Sequence, residues 1–334
     1  MAVSKIVSTG IYSPKKVVLN KDLEKMMDTS DEWIQQRSGI KERRWVSEGE
    51  TTLSMAVAAS KEAIEKANIE ADDIDMIIFT SLMTDYIFPG TGVLLQRELG
   101  MKNTVPALDT RNQCTGFLYS LSVADAWIRS GMYKRVLICA SEIHSTSMDK
   151  STTGRDISVL FGDAAAACIV EASEDTNGPQ ILGHVLHSEG AYAEKLAMMK
   201  PSSNDLRGRI NPELINDEDI FPNMDGRFVF KNAVTRMPEA IRQVCEEKDV
   251  ALEDIDFVIA HQANLRINNM VLEQLKVPPS KTHNTLERYG NTTACTIPLT
   301  LDEAMRVNKI KEGDLVCFVA FGSGFTWGAS LVRF

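Results

Sequence analysis

A cysteine stands where the sequence predicts that a strand turns into a helix. Cys114 lies between a strand-like stretch, residues 105–110, and an apolar helical run, residues 117–128. A thiol at the N-terminal end of a helix meets the positive end of the helix dipole, which favours the thiolate and therefore nucleophilicity. The alternative is a small cysteine of the core. Two residues far downstream, His261 and Asn291, favour the nucleophile, because Cys, His and Asn are the parts of a thiol-based acyl-transfer site.

Composition bounds the class of protein. The chain has 334 residues, of which 44% are hydrophobic and 25% charged, as in an ordinary soluble globular protein with room for two domains. A formal charge of −10 without a basic cluster argues against a nucleic-acid partner. No apolar run approaches the roughly 20 residues of a membrane span. The N-terminus has no charged region followed by a long apolar one, so no signal peptide is predicted.

The cysteines and histidines suggest neither a disulfide framework nor a metal site. The six cysteines are widely spaced and form no CxxC pair, which predicts a reduced, cytoplasmic protein without structural zinc. His184 and His187 lie three residues apart on a predicted strand and therefore face opposite sides, which does not suit one metal ion.

Two parts of the chain resemble each other. Residues 55–81 and 232–262 each contain an amphipathic helix, an acidic Asp-Ile-Asp turn and a buried strand. Their turn residues Asp75 and Asp256 are 181 residues apart. A second pair, residues 134–140 and 314–320, is offset by about 180 residues. Two similar pairs at one offset indicate an internal duplication.

The duplication predicts the architecture. Each half alternates helices with short apolar strands, which predicts an α/β fold of mainly parallel or mixed sheets covered by helices. We expect the boundary near residue 172, giving halves 1–172, with the cysteine, and 173–334, with His261 and Asn291. The site would then form across the seam. Residues 190–225 are polar and lack periodicity, which predicts a surface insertion or a cap.

Six motifs lie in order along nearly the whole chain. They are the segment 29–40, Cys114-Thr-Gly-Phe117, Phe161-Gly-Asp-Ala164, His261-Gln-Ala-Asn-Leu-Arg266, Tyr289-Gly-Asn-Thr-Thr-Ala294 and Phe321-Gly-Ser-Gly-Phe-Thr-Trp-Gly328. Together they resemble one family, β-ketoacyl-acyl-carrier-protein synthase III of the thiolase superfamily, which begins fatty-acid chains. The resemblance implies a duplicated thiolase-like α-β-α-β-α layered sandwich.

The resemblance implies a two-step reaction. An acyl-coenzyme A acylates Cys114, and the acyl group then undergoes decarboxylative Claisen condensation with malonyl-acyl carrier protein. His261 and Asn291 would donate side-chain N–H groups to the enolate, and the backbone N–H groups of Cys114 and Ser323 would form the oxyanion hole. Coenzyme A enters as part of the substrate, and no further cofactor is implied.

Other positions take roles from the same resemblance. Trp33 and Arg155 would sandwich the adenine of coenzyme A, with Arg37 assisting, because an indole and a guanidinium both stack well. Asn264 would contact the pantetheine amide.

Three further residues would contact proteins. Lys231 and Arg266 are basic residues expected at the tunnel mouth, where they would receive an acidic carrier protein. Phe88, before Pro89, would cross the interface of a homodimer and close the neighbour's acyl pocket.

The chain departs from the family pattern at several positions. The segment 111–113 precedes the nucleophile where small residues are common, Asp156 follows Arg155, and Ala164 and Ser323 stand where glycine is usual. A backbone donor at Ser323 survives if its dihedral angles permit. Crowding near the nucleophile and the segment 190–225 leave the acyl primer open.

Alternative functions remain at this point. The same fold could transfer an acyl group to form an ester or amide, or could join two acyl chains. Asn291 favours decarboxylative condensation, since simple transfer needs no enolate donor. A Cys-His-Asn protease or amidase uses the same residue types but leaves the duplication, Trp33 and Arg155 unexplained. A non-catalytic scaffold is disfavoured because all three polar residues are intact.

Overall fold

The strands form two larger sheets and two short ribbons. A computed structural model describes residues 2–203 and 212–334. In these residues the strands are, in chain order, β1 (Val3–Tyr12), β2 (Lys16–Leu19), β3 (Glu42–Trp45), β4 (Met76–Thr80), β5 (Ala107–Thr110), β6 (Arg135–Glu142), β7 (Ala164–Ser173), β8 (Gln180–Ser188), β9 (Leu196–Ala197), β10 (Asn223–Met224), β11 (Phe257–Ala260), β12 (Leu315–Gly322) and β13 (Thr326–Arg333).

The helices alternate with these strands. Within the same described ranges they are α1 (Asn20–Leu23), α2 (Asp31–Ser38), α3 (Thr52–Ala67), α4 (Thr91–Glu98), α5 (Gly116–Arg129), α6 (Arg155–Ser158), α7 (Gly226–Glu247), α8 (Leu265–Gln274), α9 (Leu286–Tyr289) and α10 (Thr296–Arg306). In the part of the chain that the structure describes, no helix is both long and apolar enough to cross a membrane.

Both larger sheets are mixed, as predicted, and they repeat one topology. The first has the order β1-β7-β6-β4-β5 and the second β8-β13-β12-β11. In each, the first three strands of that order are antiparallel neighbours, and the next pair, β6-β4 or β12-β11, is parallel. The fifth position of the second sheet is reduced to a parallel bridge between Val258 and Thr282. The internal duplication is therefore confirmed.

The repeated acidic turns have the same structural role in each half. Asp75 accepts hydrogen bonds from the backbone N–H groups of Lys134 and Arg135, at 2.8 and 2.9 Å. Asp256 accepts one from Leu315 at 2.9 Å. Each carboxylate thus fixes the start of the neighbouring parallel strand, which explains why the motif occurs twice.

The core has three layers of helices separated by the two sheets. The central helices α5 and α10 contribute Leu121 and Leu301, which pack between Ile78 of the first sheet and Phe318 of the second. Helix α3 covers the outer face of the first sheet. Helices α7 and α8 cover the outer face of the second. This is the expected α-β-α-β-α order.

The predicted boundary falls in the connection between the sheets. The first sheet uses strands up to Ser173, and the second begins at Gln180. The division into halves 1–172 and 173–334 stays a prediction, because two sheets in one layered core do not by themselves define separate domains. Of the segment 190–225, residues 204–211 lie outside the described residues. The rest contains the ribbon of β9 and β10, in which Met224 lies opposite Leu196.

Candidate active site

Cys114 lies on a strand-to-helix turn, as predicted. Strand β5 ends at Thr110, a single 3₁₀ turn spans Gln113–Thr115, and α5 begins at Gly116. The backbone of Gln113 is left-handed, with φ of 45°, which bends the chain sharply before Cys114. Gly116 is required because a Cβ there would lie 2.4 Å from the Thr80 hydroxyl. The tight turn holds the thiol against the second half, with 7% of Cys114 exposed.

The Asn291 turn is the duplicate of the cysteine turn. Its 3₁₀ segment Thr293–Cys295 precedes α10, and Thr293 has φ of 49°, at the position equivalent to Gln113. The side-chain oxygen of Asn291 accepts the backbone N–H of Thr293 at 2.8 Å. This hydrogen bond assigns the amide orientation and leaves the Asn291 NH₂ group available as a donor.

The hydrogen bonds of His261 fix its tautomer. Its Nδ1 lies 2.7 Å from the Thr296 hydroxyl, which itself donates to the Thr293 carbonyl at 2.9 Å. Because that hydroxyl has only one proton, it must accept from Nδ1–H. Nε2 is buried and has no hydrogen-bond partner among the described residues. Burial lowers the pKa of His261 to about 3, so the imidazole is neutral and Nε2 carries a lone pair.

Cys114, His261 and Asn291 meet in one chamber of about 100 Å³. The first comes from the chain before the predicted boundary and the other two from the chain after it, so the site forms across the seam as expected. The ribbon residues Leu196 and Met224 line the same chamber. Arg111, which precedes the turn, is exposed and does not crowd the thiol.

The loop between β12 and β13 packs directly against the nucleophile. A Cβ on Gly322 would lie 2.7 Å from the Cβ of Cys114, so only glycine permits this approach. The backbone N–H groups of Cys114 and Ser323 are placed to hydrogen-bond the sulfur, and they lower the pKa of the thiol. Serine at position 323 therefore retains the backbone donor.

The expectation that the helix favours a thiolate is wrong for the resting site. Burial, together with the nearby Glu142, raises the pKa of Cys114 to about 12. The two backbone donors act in the opposite direction but do not outweigh burial. Because desolvation disfavours the sulfur anion, the resting group is the neutral thiol.

Glu142 is a buried residue near the site that the sequence reasoning missed. It ends β6, is 0% exposed, and accepts the backbone N–H of Leu82 at 3.0 Å. Burial raises its pKa to about 8. The available signal was a single acidic residue at the carboxyl end of an otherwise apolar strand, where polar groups of α/β sites collect.

A larger cavity of about 750 Å³ lies beyond the chamber. Trp33, Arg37 and Asn264 line it, together with Arg266 and the previously unnoticed Arg227. Asn264 caps α8 by accepting the backbone N–H of Arg266 at 2.9 Å, and its NH₂ group donates to the Arg37 carbonyl at 2.9 Å. The amide is thus held at the junction of the cavity and the chamber.

The predicted adenine sandwich is closed in this structure. The guanidinium carbons of Arg37 and Arg155 lie 4.5 and 4.9 Å from the centre of the Trp33 ring. An aromatic base needs about 3.5 Å on each face, so a sandwich requires roughly 7 Å between Trp33 and Arg155. Arg155 must therefore move away from the ring before a base can enter.

The residues expected to contact proteins are on the surface. Lys231 lies exposed on α7, and Arg266 is exposed on α8, with its guanidinium 5.4 Å from the Phe230 ring. Phe88 is 83% exposed and follows Tyr86 and Ile87, which are 52% and 60% exposed. Three consecutive exposed apolar side chains on one loop form an uncovered patch.

The chain is similar to proteins of known name. Two family models match: 3-oxoacyl-[acyl-carrier-protein (ACP)] synthase III over residues 108–190, and its C-terminal counterpart over residues 245–334. The chain is 41% identical to β-ketoacyl-[acyl-carrier-protein] synthase III 1 of Vibrio parahaemolyticus over 331 residues, 99% of each protein. It is 40% identical to the β-ketoacyl-[acyl-carrier-protein] synthase III of Escherichia coli O9:H4 over 331 residues, again 99% of each.

A crystal structure agrees with these sequence matches. The 3-oxoacyl-[acyl-carrier-protein] synthase III of Aquifex aeolicus has a TM-score of 0.90 and 42% identity, covering 99% of this chain and 100% of that one. The match confirms the predicted thiolase-like layered sandwich.

Proposed function

The chain belongs to the 3-oxoacyl-[acyl-carrier-protein] synthase III family, and from this we propose how its residues perform the condensation. It is a condensing acyltransferase of fatty-acid synthesis. Cys114 takes the acyl group from an acyl-coenzyme A, and malonyl-acyl carrier protein is the acceptor. The observation that carries the proposal is the meeting of Cys114, the unpaired Nε2 of His261 and the free amide of Asn291 in one chamber.

In the first step, the neutral thiol needs a base. Nε2 of His261 accepts the Cys114 proton as the sulfur attacks the thioester carbonyl. The backbone N–H groups of Cys114 and Ser323 receive the oxyanion, and each such donor is worth about 3 kcal/mol in the transition state. The intermediate expels coenzyme A as a thiolate, which takes a proton from solvent. The acyl group is then bonded to the Cys114 sulfur.

In the second step, the malonyl group loses carbon dioxide and leaves an enolate. The Asn291 NH₂ group and the newly protonated Nε2 of His261 donate to the enolate oxygen. The carbanion attacks the acyl thioester, and Cys114 leaves as a thiolate that recovers its proton from His261. The role expected for His261 is thereby refined, because it donates at Nε2 only after it has received the thiol proton. One solvent proton is consumed overall, on coenzyme A.

The basic mouth of the larger cavity suits anionic partners. Arg37, Arg227 and Arg266 line it, and Lys231 lies nearby on α7. In a chain of net charge −10, this local positive charge would attract the phosphates of coenzyme A and an acidic carrier protein. No cofactor beyond the thioester substrate is proposed. All six cysteines are free thiols, which fits a cytoplasmic location.

We also propose that the protein acts as a homodimer. The patch of Tyr86, Ile87 and Phe88 is the basis for this, because consecutive exposed apolar residues are stabilised by a partner surface better than by water. The relatives' names state a β-ketoacyl product on acyl carrier protein, which is what condensation with malonyl-acyl carrier protein gives. These names do not mention transfer to an alcohol or amine, or the joining of two acyl chains.

Intact-protein mass spectrometry tests the proposal. The wild type is incubated with a panel of acyl-coenzyme A thioesters, and the adduct mass identifies the primer. Malonyl-acyl carrier protein should then remove the adduct. Peptide mapping should place the label on Cys114, and the variant Cys114→Ala should stay unlabelled. The control Cys245→Ala replaces a buried cysteine of α7 and should be labelled like the wild type. Labelling of Cys139, Cys168 or Cys295 instead, or an adduct stable to malonyl-acyl carrier protein, would contradict it.

A further inference from the structure

The short ribbon of β9 and β10 forms a roof over the reaction chamber. Leu196 and Met224 are directly opposite each other in this ribbon, and both line the chamber that contains Cys114. Both side chains are only partly buried, so the roof separates the chamber from the surface. An acyl group that fills about 100 Å³ and extends toward the ribbon must therefore displace one of these two side chains.

Ser323 joins this roof to the loop that contacts the nucleophile. Its hydroxyl donates a hydrogen bond of 2.5 Å to the backbone carbonyl of Leu196, across 127 residues of sequence. Its own backbone N–H is placed to hydrogen-bond the Cys114 sulfur. Its carbonyl accepts from the Thr326 hydroxyl at 3.0 Å, which fixes the peptide unit from the other side. One residue thus contacts both the roof and the reacting atom.

The rest of the roof is attached to the same region. Glu189 and Phe325 exchange two backbone hydrogen bonds of 2.8 Å each, so the chain entering the roof starts beside the loop of Ser323. The Lys195 carbonyl accepts the Asp225 N–H at 2.9 Å, which closes the base of the ribbon. The hydrogen bond from Ser323 lies beyond these contacts, directly above the chamber, and a glycine at 323 would lack it.

We propose that Ser323 is a positioning residue that determines acyl-chain specificity by coupling the roof to the oxyanion donor. When an acyl group lifts Leu196, the hydroxyl of Ser323 is pulled with it, and the backbone N–H moves away from the sulfur. A long acyl group is then penalised twice, once by displacement of the roof and once by loss of the oxyanion donor. Short acyl groups leave both in place. The inference rests on the proposed function, since it assumes that Cys114 is acylated.

Removing the hydroxyl separates the two penalties. In Ser323→Ala the backbone donor remains, but the roof can rise without moving it. The ratio of the acylation rate with hexanoyl-coenzyme A to that with acetyl-coenzyme A should therefore rise by roughly fivefold, the factor expected for one neutral hydrogen bond. Ser323→Gly should behave in the same way, which would assign the effect to the hydroxyl and not to the methyl group of alanine.

The measurement is rapid-quench intact mass of the full-length protein with acetyl-, butyryl- and hexanoyl-coenzyme A. Because the ratio is taken within each variant, a general loss of activity does not imitate the effect. The matched control is Ser130→Ala, which removes another hydroxyl-to-carbonyl hydrogen bond, 2.8 Å to Trp127, at an exposed helix end. Its ratio should equal that of the wild type. An unchanged ratio in both Ser323 variants would overturn the inference.

Hydrogen exchange gives a second readout that does not depend on activity. The backbone amides of residues 195–199 should exchange faster in Ser323→Ala than in the wild type or Ser130→Ala. Equal exchange would show that the hydroxyl does not hold the roof. If no acyl-coenzyme A labels wild-type Cys114, the proposed function fails, while hydrogen exchange still tests whether the Ser323 hydroxyl holds Leu196. If the wild type is labelled but its hexanoyl-to-acetyl ratio equals that of the Ser323 variants, only the proposed role of Ser323 fails.

Discussion

The hydroxyl of Thr296 determines which nitrogen of His261 carries the proton. Because this hydroxyl donates to the Thr293 carbonyl, it accepts from Nδ1–H of the imidazole, and Nε2 faces the chamber unprotonated. The imidazole therefore begins the cycle as an acceptor. A neutral thiol of high pKa and an imidazole of low pKa form a matched resting pair without charge.

Replacing Thr296 should slow acylation. In Thr296→Val the Nδ1–H loses its acceptor, so the tautomer with a proton on Nε2 becomes populated, and this form cannot accept the Cys114 proton. We expect the acylation rate to fall about 10-fold or more, a part of what a general base contributes. The pH dependence of acylation should shift as well. Thr296→Ser keeps a hydroxyl at this position and should restore the wild-type acylation rate and the wild-type pH dependence.

The control is Thr282→Val, which removes a buried hydroxyl that donates to the Val258 carbonyl at 2.8 Å. It should leave the pH dependence of acylation unchanged. Equal effects of Thr296→Val and Thr296→Ser would show that the hydroxyl is not the cause.

Asn291→Ala should separate the two steps of the reaction. Acylation relies on Cys114, His261 and the backbone donors, so the variant should still form the acyl adduct. Condensation should fall by roughly 10² or more, because one donor to the enolate is lost. Adduct formation by mass spectrometry and release of carbon dioxide measure the two steps. The control Asn269→Ala, at an exposed position of α8, should perform both steps normally. If Asn291→Ala condenses at the wild-type rate, Asn291 has no role in the mechanism.

Phe88→Asp should weaken the homodimer. The side chain is 83% exposed in the single chain, so the substitution costs little stability, whereas a buried carboxylate at an interface is strongly unfavourable. Sedimentation velocity at micromolar concentration should show monomer for Phe88→Asp and dimer for the wild type. Met132→Asp, at another residue with 61% exposure, should stay dimeric. A fully active wild-type monomer would contradict the proposal.

The smaller substitution Phe88→Ala tests the contribution to the pocket. If the loop closes the neighbour's acyl pocket, this variant should change which chain lengths load onto Cys114 while its thermal unfolding stays that of the wild type. If Phe88→Ala still forms a dimer and its chain-length preference is unchanged, the patch serves dimerisation but does not shape the acyl pocket.

The free energy of unfolding should decrease on mild acidification. Burial lowers the pKa of His144 to about 4 and of His261 to about 3, while both sit at 6.5 without the fold. Below pH 6.5 the unfolded chain therefore binds more protons than the native one, and stability falls with falling pH. Each histidine contributes a slope of about 1.4 kcal/mol per pH unit, fully developed once the unfolded imidazoles are protonated. Glu142 acts in the opposite direction, because burial raises its pKa to about 8 and its native carboxyl holds a proton that the unfolded one lacks. It offsets the contribution of about one histidine, so the net slope still lowers stability on acidification.

Urea unfolding between pH 6.5 and about pH 4.5, above most carboxylate titrations, measures this slope. His261→Asn should remove the share of one histidine from it, about 1.4 kcal/mol per pH unit. The control His187→Asn removes a partly exposed imidazole of β8 and tests for a general effect of losing histidine. A slope unaffected by His261→Asn would mean that the imidazole is not held neutral by the fold.

The sequence predicted the features that depend on periodicity and on local turns. Asp75 and Asp256 indicated the duplication because each must accept the N–H groups that start a neighbouring strand. The turn at Cys114 was predictable from an apolar strand followed directly by an apolar helix. These signals lie within short stretches of chain, and the structure confirms them.

Other features of the site depend on contacts between distant residues. The raised pKa of Cys114 follows from burial, which no local pattern reports. The closed contact of Trp33 with Arg155 depends on how helices α2 and α6 pack together, although the two residues are 122 positions apart in the sequence. The roof residue Leu196 belongs to a polar segment without periodicity, and only the folded structure shows that it lines the chamber and accepts a hydrogen bond from Ser323.

The matching left-handed residues Gln113 and Thr293 have an evolutionary implication. Each is the first residue of its 3₁₀ turn. One turn contains Cys114 and the other follows the amide donor Asn291, and the two turns meet at the seam. A half-length ancestor pairing with its own copy around a twofold axis would have placed two identical turns there. Cys114 and its counterpart Ala294 differ at equivalent positions of the two turns, so one copy now carries the thiol and the other follows the amide donor Asn291.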